Sequence, residues 1–476
     1  MKRLQNTLVL LAIVISCVQT PRAQSQTSIE GNWLGAVDVQ GMKMRLAFKV
    51  TRSGDNYTAK FDSIDQAVRD LEIDSVTYQD NLVRFTAAKL GLTYEGKLSE
   101  NGNEITGALL QGAAAMPLVL KRIAELPALG RSQDPRKPYP YVEEEVTYKN
   151  ETDNVKLAGT LTVPNSGANL PAVILISGSG AQDRNETVAG HRPFLVLADA
   201  LTKKGIAVLR VDDRGVGGSD LGAPTATSEN YADDVLAGVR YLKSRKEINP
   251  KQIGLIGHSE GGIIAPLAAA RSNDVAFIVL LAGLGQTGAD VMYSQTQLIH
   301  RAGGLPSSVT ATTVALLKSI FETLKTKTDK KAAEQSIREA IASHASAVPE
   351  EQRKTFAPIK ATMEAQLPMY VSEWFRYFSA FDPQPTLRQV RVPVLALNGE
   401  LDLQVPWKEN LELIAAALKA GENKDYTVKA FPKLNHLFQT SQTGQLSEYD
   451  KIEETIAPQV LDTISDWILA RTINKR

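Results

Sequence analysis

Cysteine is almost absent from this sequence of 476 residues, which contains only Cys17. Because Cys17 lies in a segment that we expect to be a targeting signal, the mature chain can form no internal disulfide and has no cysteine nucleophile or cysteine metal site. An excess of one charge is also lacking, since Lys and Arg total 53 and Asp and Glu total 53. Surfaces that bind nucleic acid usually leave a basic excess, so nucleic acid is not expected as the main partner.

Long apolar runs are lacking too, except near the N-terminus. There Lys2-Arg3 precedes an apolar run, Leu8 to Val18, that is too short to span a bilayer, and Ala23 supplies a small residue for cleavage. We therefore predict a signal peptide over residues 1–24 and an exported protein, periplasmic or secreted. The context of Cys17 resembles a lipobox, so a membrane-anchored lipoprotein is the alternative. No transmembrane segment is predicted elsewhere.

The first part of the chain alternates apolar and polar residues in short runs separated by turn signals. This pattern predicts an all-β antiparallel accessory domain over residues 27–122, either a small barrel or a sandwich. No cluster of potential catalytic residues occurs in it, and we interpret it as a packing module, with a ligand-binding module as the alternative. The proline-rich residues 123–141 are predicted to be a linker.

Predicted strands and helices alternate over residues 142–476. The apolar run Ala172 to Ile176 is typical of a strand buried on both faces, and the alternation predicts an α/β fold with a mostly parallel sheet. A helix-rich stretch at about residues 287–388 interrupts the alternation. Open α/β sheets bind ligands at the carboxyl ends of their strands, so we predict that this insertion is a helical cap over the active site.

The motif Gly257-His258-Ser259-Glu260-Gly261 lies between a predicted strand and a predicted helix. Strand, sharp turn and helix are the context that a nucleophile elbow requires, and Ser259 is the predicted nucleophile. The side chain of His258 is expected to point away from that of Ser259.

A serine hydroxyl needs a base, and the base needs an acid that orients it. The chain has five histidines, and His436 follows the last predicted strand, which makes it the predicted base. Asp402 follows the penultimate strand and is the predicted acid, with Glu400 as the alternative. We interpret His191 as a solvated loop residue.

The tetrahedral intermediate of acyl transfer needs N–H donors for its oxyanion. The predicted donors are the backbone N–H groups of Glu260 and Ser179, the latter in a glycine-rich loop after a strand. Aromatic residues cluster near the end of the insertion, where two interpretations are open: they line an acyl site, or they form the packing core of the helices. The predicted substrate pocket consists of Gly178, Gly180, Trp374 and Phe375.

These motifs, in this order, resemble those of the α/β-hydrolase superfamily, and more narrowly of its secreted bacterial esterases, which are related to serine aminopeptidase-like and prolyl-oligopeptidase-type hydrolases. The resemblance implies carboxylester hydrolysis through an acyl-enzyme, with Ser259, Asp402 and His436 as the triad and with no cofactor or metal. Many relatives carry His-Gly where this chain has Ser177-Gly178, so the geometry of the oxyanion loop is left open.

Three functions therefore compete. The first is an exported serine carboxylesterase for short or medium acyl esters of small molecules. The second is an aminopeptidase-like serine peptidase, which would need an acidic pocket for the substrate amine, with Glu260 or Glu373 as candidates. The third is a glycan- or envelope-binding protein that acts through its β domain.

Overall fold

The structure is a computed structural model, and it describes residues 28–472 except 40–41, 55, 66–67, 112–113, 127–130 and 166. The predicted signal peptide and Cys17 lie outside the described residues. The chain divides into two compact units. One unit takes in the chain up to Gly35 with Ala47–Phe61 and Leu71–Leu126, and the other takes in Ala36–Leu46, Asp62–Asp70 and the chain from Pro127 onward.

The first sheet is built from nine strands in the order β4-β3-β2-β1-β9-β8-β7-β6-β5. From β5 to β9, neighbours in sequence pair antiparallel, and β9 pairs antiparallel with β1. The prediction of a small all-β antiparallel domain is confirmed, although β4 and β9 were not foreseen as strands. The strands are β1 (Gly31–Val39), β2 (Met42–Ser53), β3 (Asn56–Ser63), β4 (Val68–Glu72), β5 (Ser75–Gln79), β6 (Leu82–Ala87), β7 (Leu92–Leu98), β8 (Glu104–Gln111) and β9 (Ala114–Ile123).

Alternating side chains of these strands point inward and form an aromatic core. The rings of Phe48 and Phe85 stack with their centroids 4.6 Å apart, and the ring of Tyr94 lies 5.9 Å from that of Phe85. The hydroxyl of Tyr94 donates to the carbonyl of Ile105 at 2.9 Å, so its buried polar end is satisfied.

The second sheet has eight strands in the order β10-β11-β13-β12-β14-β15-β16-β17. Strands β10, β11 and β13 pair antiparallel, and all other neighbours pair parallel. Every residue of β12 is buried, as expected for a strand covered on both faces. The strands are β10 (Tyr141–Asn150), β11 (Val155–Pro164), β12 (Leu170–Ile176), β13 (Ala207–Val211), β14 (Ile248–His258), β15 (Phe277–Leu281), β16 (Val394–Gly399) and β17 (Tyr426–Phe431).

Helices cover both faces of this sheet, which confirms the predicted α/β-hydrolase fold class. Helices α2, α3 and α11 pack on one face, and α1 and α13 pack on the other. The helices outside the insertion are α1 (Pro193–Lys203), α2 (Ser228–Lys243), α3 (Gly261–Arg271), α11 (Trp407–Ala420), α12 (Leu446–Tyr449) and α13 (Pro458–Thr472). The sequence pattern predicts that the last helix starts near Glu453, but α13 starts at Pro458, because proline suits the first turn of a helix.

Seven helices lie between β15 and β16, in the segment predicted to be a cap. They have a hydrophobic core of their own, which includes Leu316, Ile320, Phe321, Ile337 and Phe375. These helices are α4 (Gly288–Ala302), α5 (Ser307–Thr326), α6 (Lys330–Ala347), α7 (Glu350–Ala365), α8 (Leu367–Tyr370), α9 (Glu373–Ala380) and α10 (Gln384–Leu387).

The parallel part of the sheet brings distant segments to one edge. Strands β12, β14, β16 and β17 run in the same direction, so the loops that follow them begin at the same side of the sheet. The predicted nucleophile Ser259, acid Asp402 and base His436 therefore all lie in loops that follow the carboxyl ends of these strands.

Candidate active site

Ser259 forms a sharp turn between β14 and α3. Its φ is 53°, in the left-handed region that non-glycine residues rarely adopt, and its N–H donates to the carbonyl of Leu281 at 2.9 Å. A Cβ at Gly257 would lie 2.0 Å from the carbonyl oxygen of Gly261, and one at Gly261 would lie 2.3 Å from that of Ile176. Both glycines are therefore needed for strand and helix to approach so closely.

Asp402 and His436 form a buried hydrogen-bonded pair. Oδ2 of Asp402 lies 2.8 Å from Nδ1 of His436, and its Oδ1 accepts the N–H groups of Gln404 and Val405, each at 2.8 Å. These two donors fix the carboxylate, so it can hold the imidazole in one orientation with Nε2 free for chemistry. The alternative acid, Glu400, is exposed at the end of β16.

His258 connects this pair to the serine. Its ring centroid lies 4.7 Å from that of His436, and it directly precedes Ser259 in the chain. Within the described residues, the Ser259 hydroxyl and the His436 ring form no hydrogen bond with each other. In enzymes without bound substrate this contact is often loose and tightens only in the substrate complex. The triad remains a prediction, and the structure places its members at one edge of the sheet.

The predicted oxyanion donors flank Ser259. A Cβ on Gly178 would lie 3.2 Å from Cβ of Ser259, so the glycine-rich loop after β12 passes directly over the nucleophile. In the described part of the chain, the N–H groups of Ser179 and Glu260 donate to no other backbone carbonyl. Both are therefore available to a ligand, as an oxyanion hole requires.

The Glu260 side chain is buried and points toward the cap. Its Oε1 accepts the hydroxyl of Ser228 at 2.7 Å and Nε1–H of Trp374 at 2.8 Å. Burial raises the pKa of this carboxyl above its usual range. The first turn of α3 is thereby linked to α9 in the cap.

A cavity of about 220 Å³ opens beside the nucleophile. Mostly apolar residues line it, and it reaches from the oxyanion loop past β13 to α2. Three residues of the predicted substrate pocket, Gly178, Gly180 and Trp374, line this cavity, and so does Glu260. The assignment of Phe375 to the pocket is corrected: this side chain lies in the cap core against Phe321 and Tyr370.

Carboxyl groups form the polar end of this cavity. Asp213 accepts the Ser177 hydroxyl at 2.9 Å and the N–H of Gln182 at 2.9 Å, and burial raises its pKa to about 7. Arg214 pairs with Asp153 and Asp234, each at 2.6 Å. The loop after β13, which forms part of the cavity wall, is thus held by internal ion pairs.

Two histidines, His191 and His258, have surroundings that the sequence did not predict. His191 is fully buried rather than solvated, with its ring nitrogens 3.0 Å from the Thr455 hydroxyl and 2.8 Å from the Tyr449 carbonyl. His258 pairs with Glu186, whose contribution sequence reasoning missed. The one available signal was a carboxylate a few residues after the glycine-rich loop.

The described residues contain no group of three or more histidine, cysteine or acidic side chains that could hold a metal ion. None of the described helices is long and apolar enough to cross a membrane.

Comparison with known proteins adds to this geometry. The sequence profile of the X-Pro dipeptidyl-peptidase (S15) family matches residues 153–430, more than half of the chain. Esterase EstD of Thermotoga maritima is 26% identical over 330 residues, which cover 69% of each protein.

Among solved structures, the Pyrococcus furiosus esterase Pf2001 is 18% identical, with a TM-score of 0.42 over 72% of this chain and 97% of its own. Est1E from Butyrivibrio proteoclasticus, solved with ferulic acid, is 18% identical, with a TM-score of 0.39 over 68% of this chain and 98% of its own.

Proposed function

This chain belongs to the X-Pro dipeptidyl-peptidase (S15) family of α/β-hydrolases, and we propose that it is an exported serine carboxylesterase for short or medium acyl esters. The observation that carries this proposal is the Asp402–His436 pair, 2.8 Å apart, at the same sheet edge as the strained Ser259. The relative EstD is an esterase, which supports the choice within the family. Export rests on the sequence of residues 1–24 alone.

In the proposed reaction, Oγ of Ser259 attacks the ester carbonyl while Nε2 of His436 takes its proton. The N–H groups of Ser179 and Glu260 stabilise the oxyanion. The alcohol then leaves with the proton from His436, and the acyl group stays on Ser259. Water attacks this acyl-enzyme, giving its proton to His436, and the carboxylic acid departs as Ser259 recovers its proton.

The cavity supports the choice of acyl group. It starts at the oxyanion loop, is largely apolar, and is bounded by Trp374 and Ile264. An apolar cavity of about 220 Å³ suits a short or medium acyl chain better than a bulky polymer.

A serine peptidase is the second candidate, and one observation favours it besides the family itself. Glu260 and Asp213 both line the cavity next to Ser259, where they could hold a substrate ammonium group. Burial raises the pKa of both carboxyls, so they carry less negative charge at neutral pH than exposed carboxyls would. A bound ammonium group would have to lower these pKa values again, so that the carboxylates become charged and pair with it.

Parallel assays separate the two candidates. The panel contains p-nitrophenyl acetate, butyrate and octanoate together with aminoacyl- and Xaa-prolyl-p-nitroanilides, and Ser259→Ala serves as the blank. We expect the esters to be hydrolysed with the higher kcat/KM and Ser259→Ala to be inactive. Higher kcat/KM for the anilides would favour the peptidase, and full ester turnover by Ser259→Ala would reject Ser259 as the nucleophile.

A further inference from the structure

A second histidine–carboxylate pair lies beside the proposed catalytic one. Nδ1 of His258 is 2.8 Å from Oε1 of Glu186, and both side chains are buried, with 7% and 4% of their residue surfaces exposed. Glu186 has a φ of 52°, in the left-handed region that non-glycine residues rarely adopt, so its backbone conformation is strained. The proposed reaction gives neither side chain a role.

The hydrogen bonds of His258 define its charge. Nδ1 faces a carboxylate oxygen, and Nε2 lies 3.1 Å from the carbonyl oxygen of His436. A carbonyl can only accept, and Oε1 of Glu186 already accepts the N–H of Gly178 at 2.7 Å. Both ring nitrogens must therefore donate, which makes His258 an imidazolium and Glu186 its counter-ion.

The surroundings favour such an ion pair. Burial alone would lower the pKa of His258, but the Glu186 carboxylate and the His436 carbonyl outweigh it and raise the pKa. The pair also lines a small cavity of about 20 Å³ whose other walls are apolar and include Phe194, Leu281 and Phe438.

The pair holds three segments of the proposed active site together. Glu186 binds the backbone of Gly178 in the oxyanion loop, and His258 belongs to the nucleophile elbow. Through the carbonyl of His436, His258 also fixes the loop that carries the proposed base. Since small displacements of reacting groups cost large factors in rate, these contacts are expected to affect turnover.

We propose that Glu186 and the imidazolium of His258 form a charged positioning pair for the hydrolytic reaction, one that orients the oxyanion loop and the base. The ring centroids of His258 and His436 lie 4.7 Å apart, so the pair acts directly beside the base. This inference rests on the proposed function, in which His436 is the base.

Other charges near the pair also act on it. Glu186 comes from the loop after β12, and Asp402 comes from the loop after β16 and favours the charged form of His258. His436 itself comes from the loop after β17. Asp213 interacts electrostatically with Glu186 from the loop after β13. The role of the pair is therefore assigned by substituting Glu186 rather than from the wild-type enzyme alone.

The charge of His258 can be measured without any substrate. The chain has only five histidines, so selective ¹⁵N-histidine labelling gives a small set of ring signals, and the signal absent from His258→Gln identifies His258. We expect both ring nitrogens of His258 to be protonated at about pH 8, above the ordinary histidine pKa of about 6.5. A neutral ring with a single N–H at that pH would overturn the proposal.

Kinetics of Glu186→Gln test the positioning role. The amide oxygen can still accept the N–H groups of Gly178 and His258, so the variant removes charge and little shape. We expect kcat to fall by about 10- to 100-fold with KM within about threefold of wild type. A fall in kcat without a comparable rise in KM is the signature of displaced reacting groups rather than of weakened substrate binding.

The exposed Glu400, changed to Gln, is the matched control and should behave as wild type. The rate of covalent labelling of Ser259 by a fluorophosphonate is followed in parallel, so that nucleophile activation is measured even if ester turnover is poor. Unchanged kinetics in Glu186→Gln, or a rise in KM with no loss of kcat, would overturn the positioning role. Failure of the proposed function is seen separately, as full activity in Ser259→Ala.

Discussion

Nδ1 of His436 lies 2.8 Å from Oδ2 of Asp402, although 34 residues separate them in sequence. The other carboxylate of the same turn, Glu400, is exposed. The predicted base therefore meets the carboxyl group that two backbone N–H groups already hold in place, and the competing carboxyl group faces solvent.

This relationship predicts unequal effects of two conservative substitutions. In Asp402→Asn the imidazole loses the acceptor that sets its tautomer, and kcat should fall by about 10³- to 10⁴-fold. In Glu400→Gln, kcat should stay within about threefold of wild type. Steady-state hydrolysis of p-nitrophenyl butyrate measures both, and a larger loss in Glu400→Gln would transfer the acid role to that residue.

The hydrogen bond from Trp374 to Glu260 predicts a loss of stability in Trp374→Phe. Removing the indole N–H, which donates to this buried carboxyl, should lower the free energy of unfolding by about 1–3 kcal/mol, measured by urea denaturation. Trp374 also lines the cavity, so KM for acyl esters should change in the same variant.

Trp467→Phe is the matched control for this substitution. Nε1 of Trp467 is buried and has no hydrogen-bond partner among the described residues, so this variant loses ring area but no hydrogen bond. A loss of stability as large as that of Trp374→Phe, with KM unchanged in both, would argue against the role given to the Trp374–Glu260 contact.

His191 makes stability depend on pH. Burial lowers its pKa to about 4, whereas the unfolded chain has the ordinary value of about 6.5. Between these values the unfolded state binds more protons, so the free energy of unfolding falls as pH decreases from about 6.5 to about 4, by on the order of 3 kcal/mol from this residue.

The difference in stability between wild type and His191→Gln should therefore shrink as the pH is lowered through this window. Thermal or urea unfolding at several pH values measures it, with the half-buried His344 of α6 changed to Gln as the control for loss of a histidine. Parallel stability curves for wild type and His191→Gln would contradict the assignment of a buried neutral ring.

Processing of the N-terminus is predicted from sequence alone. Mass spectrometry of the exported protein should give a mature chain that begins near residue 25 and carries no lipid. Cys17→Ser should then leave export and mass unchanged. A diacylglycerol-modified N-terminus at Cys17, abolished by this substitution, would establish the lipoprotein alternative.

Local sequence patterns predicted most of the second sheet and its helices. Continuous apolar runs such as the one that forms β12 are typical of strands buried on both faces, and the glycines around Ser259 permit only a tight turn. The start of α13 was placed wrongly, near Glu453 instead of Pro458, although proline favours a first helical turn. Strand β9 was harder to foresee, because Pro117 lies within it and weakens the strand signal.

Other features depended on packing between distant segments. Trp374 and Phe375 are neighbours on α9, and successive helical side chains point about 100° apart, so only the docking of the helix decided which ring lines the cavity. His191 gives no sign of burial in its loop sequence, and its partners lie 258 and 264 residues away.

The sequence by itself determined the class of fold and the turn at Ser259, because each depends on local periodicity or on tight turns that a few residue types allow. The order of nucleophile, acid and base is predicted from the same local signals. Tertiary structure alone decided that Asp402 rather than Glu400 meets His436, and that Glu186 reaches His258 across 72 residues. Contacts of this kind arise where loops from separate parallel strands converge, and no local pattern encodes which side chains will then face each other.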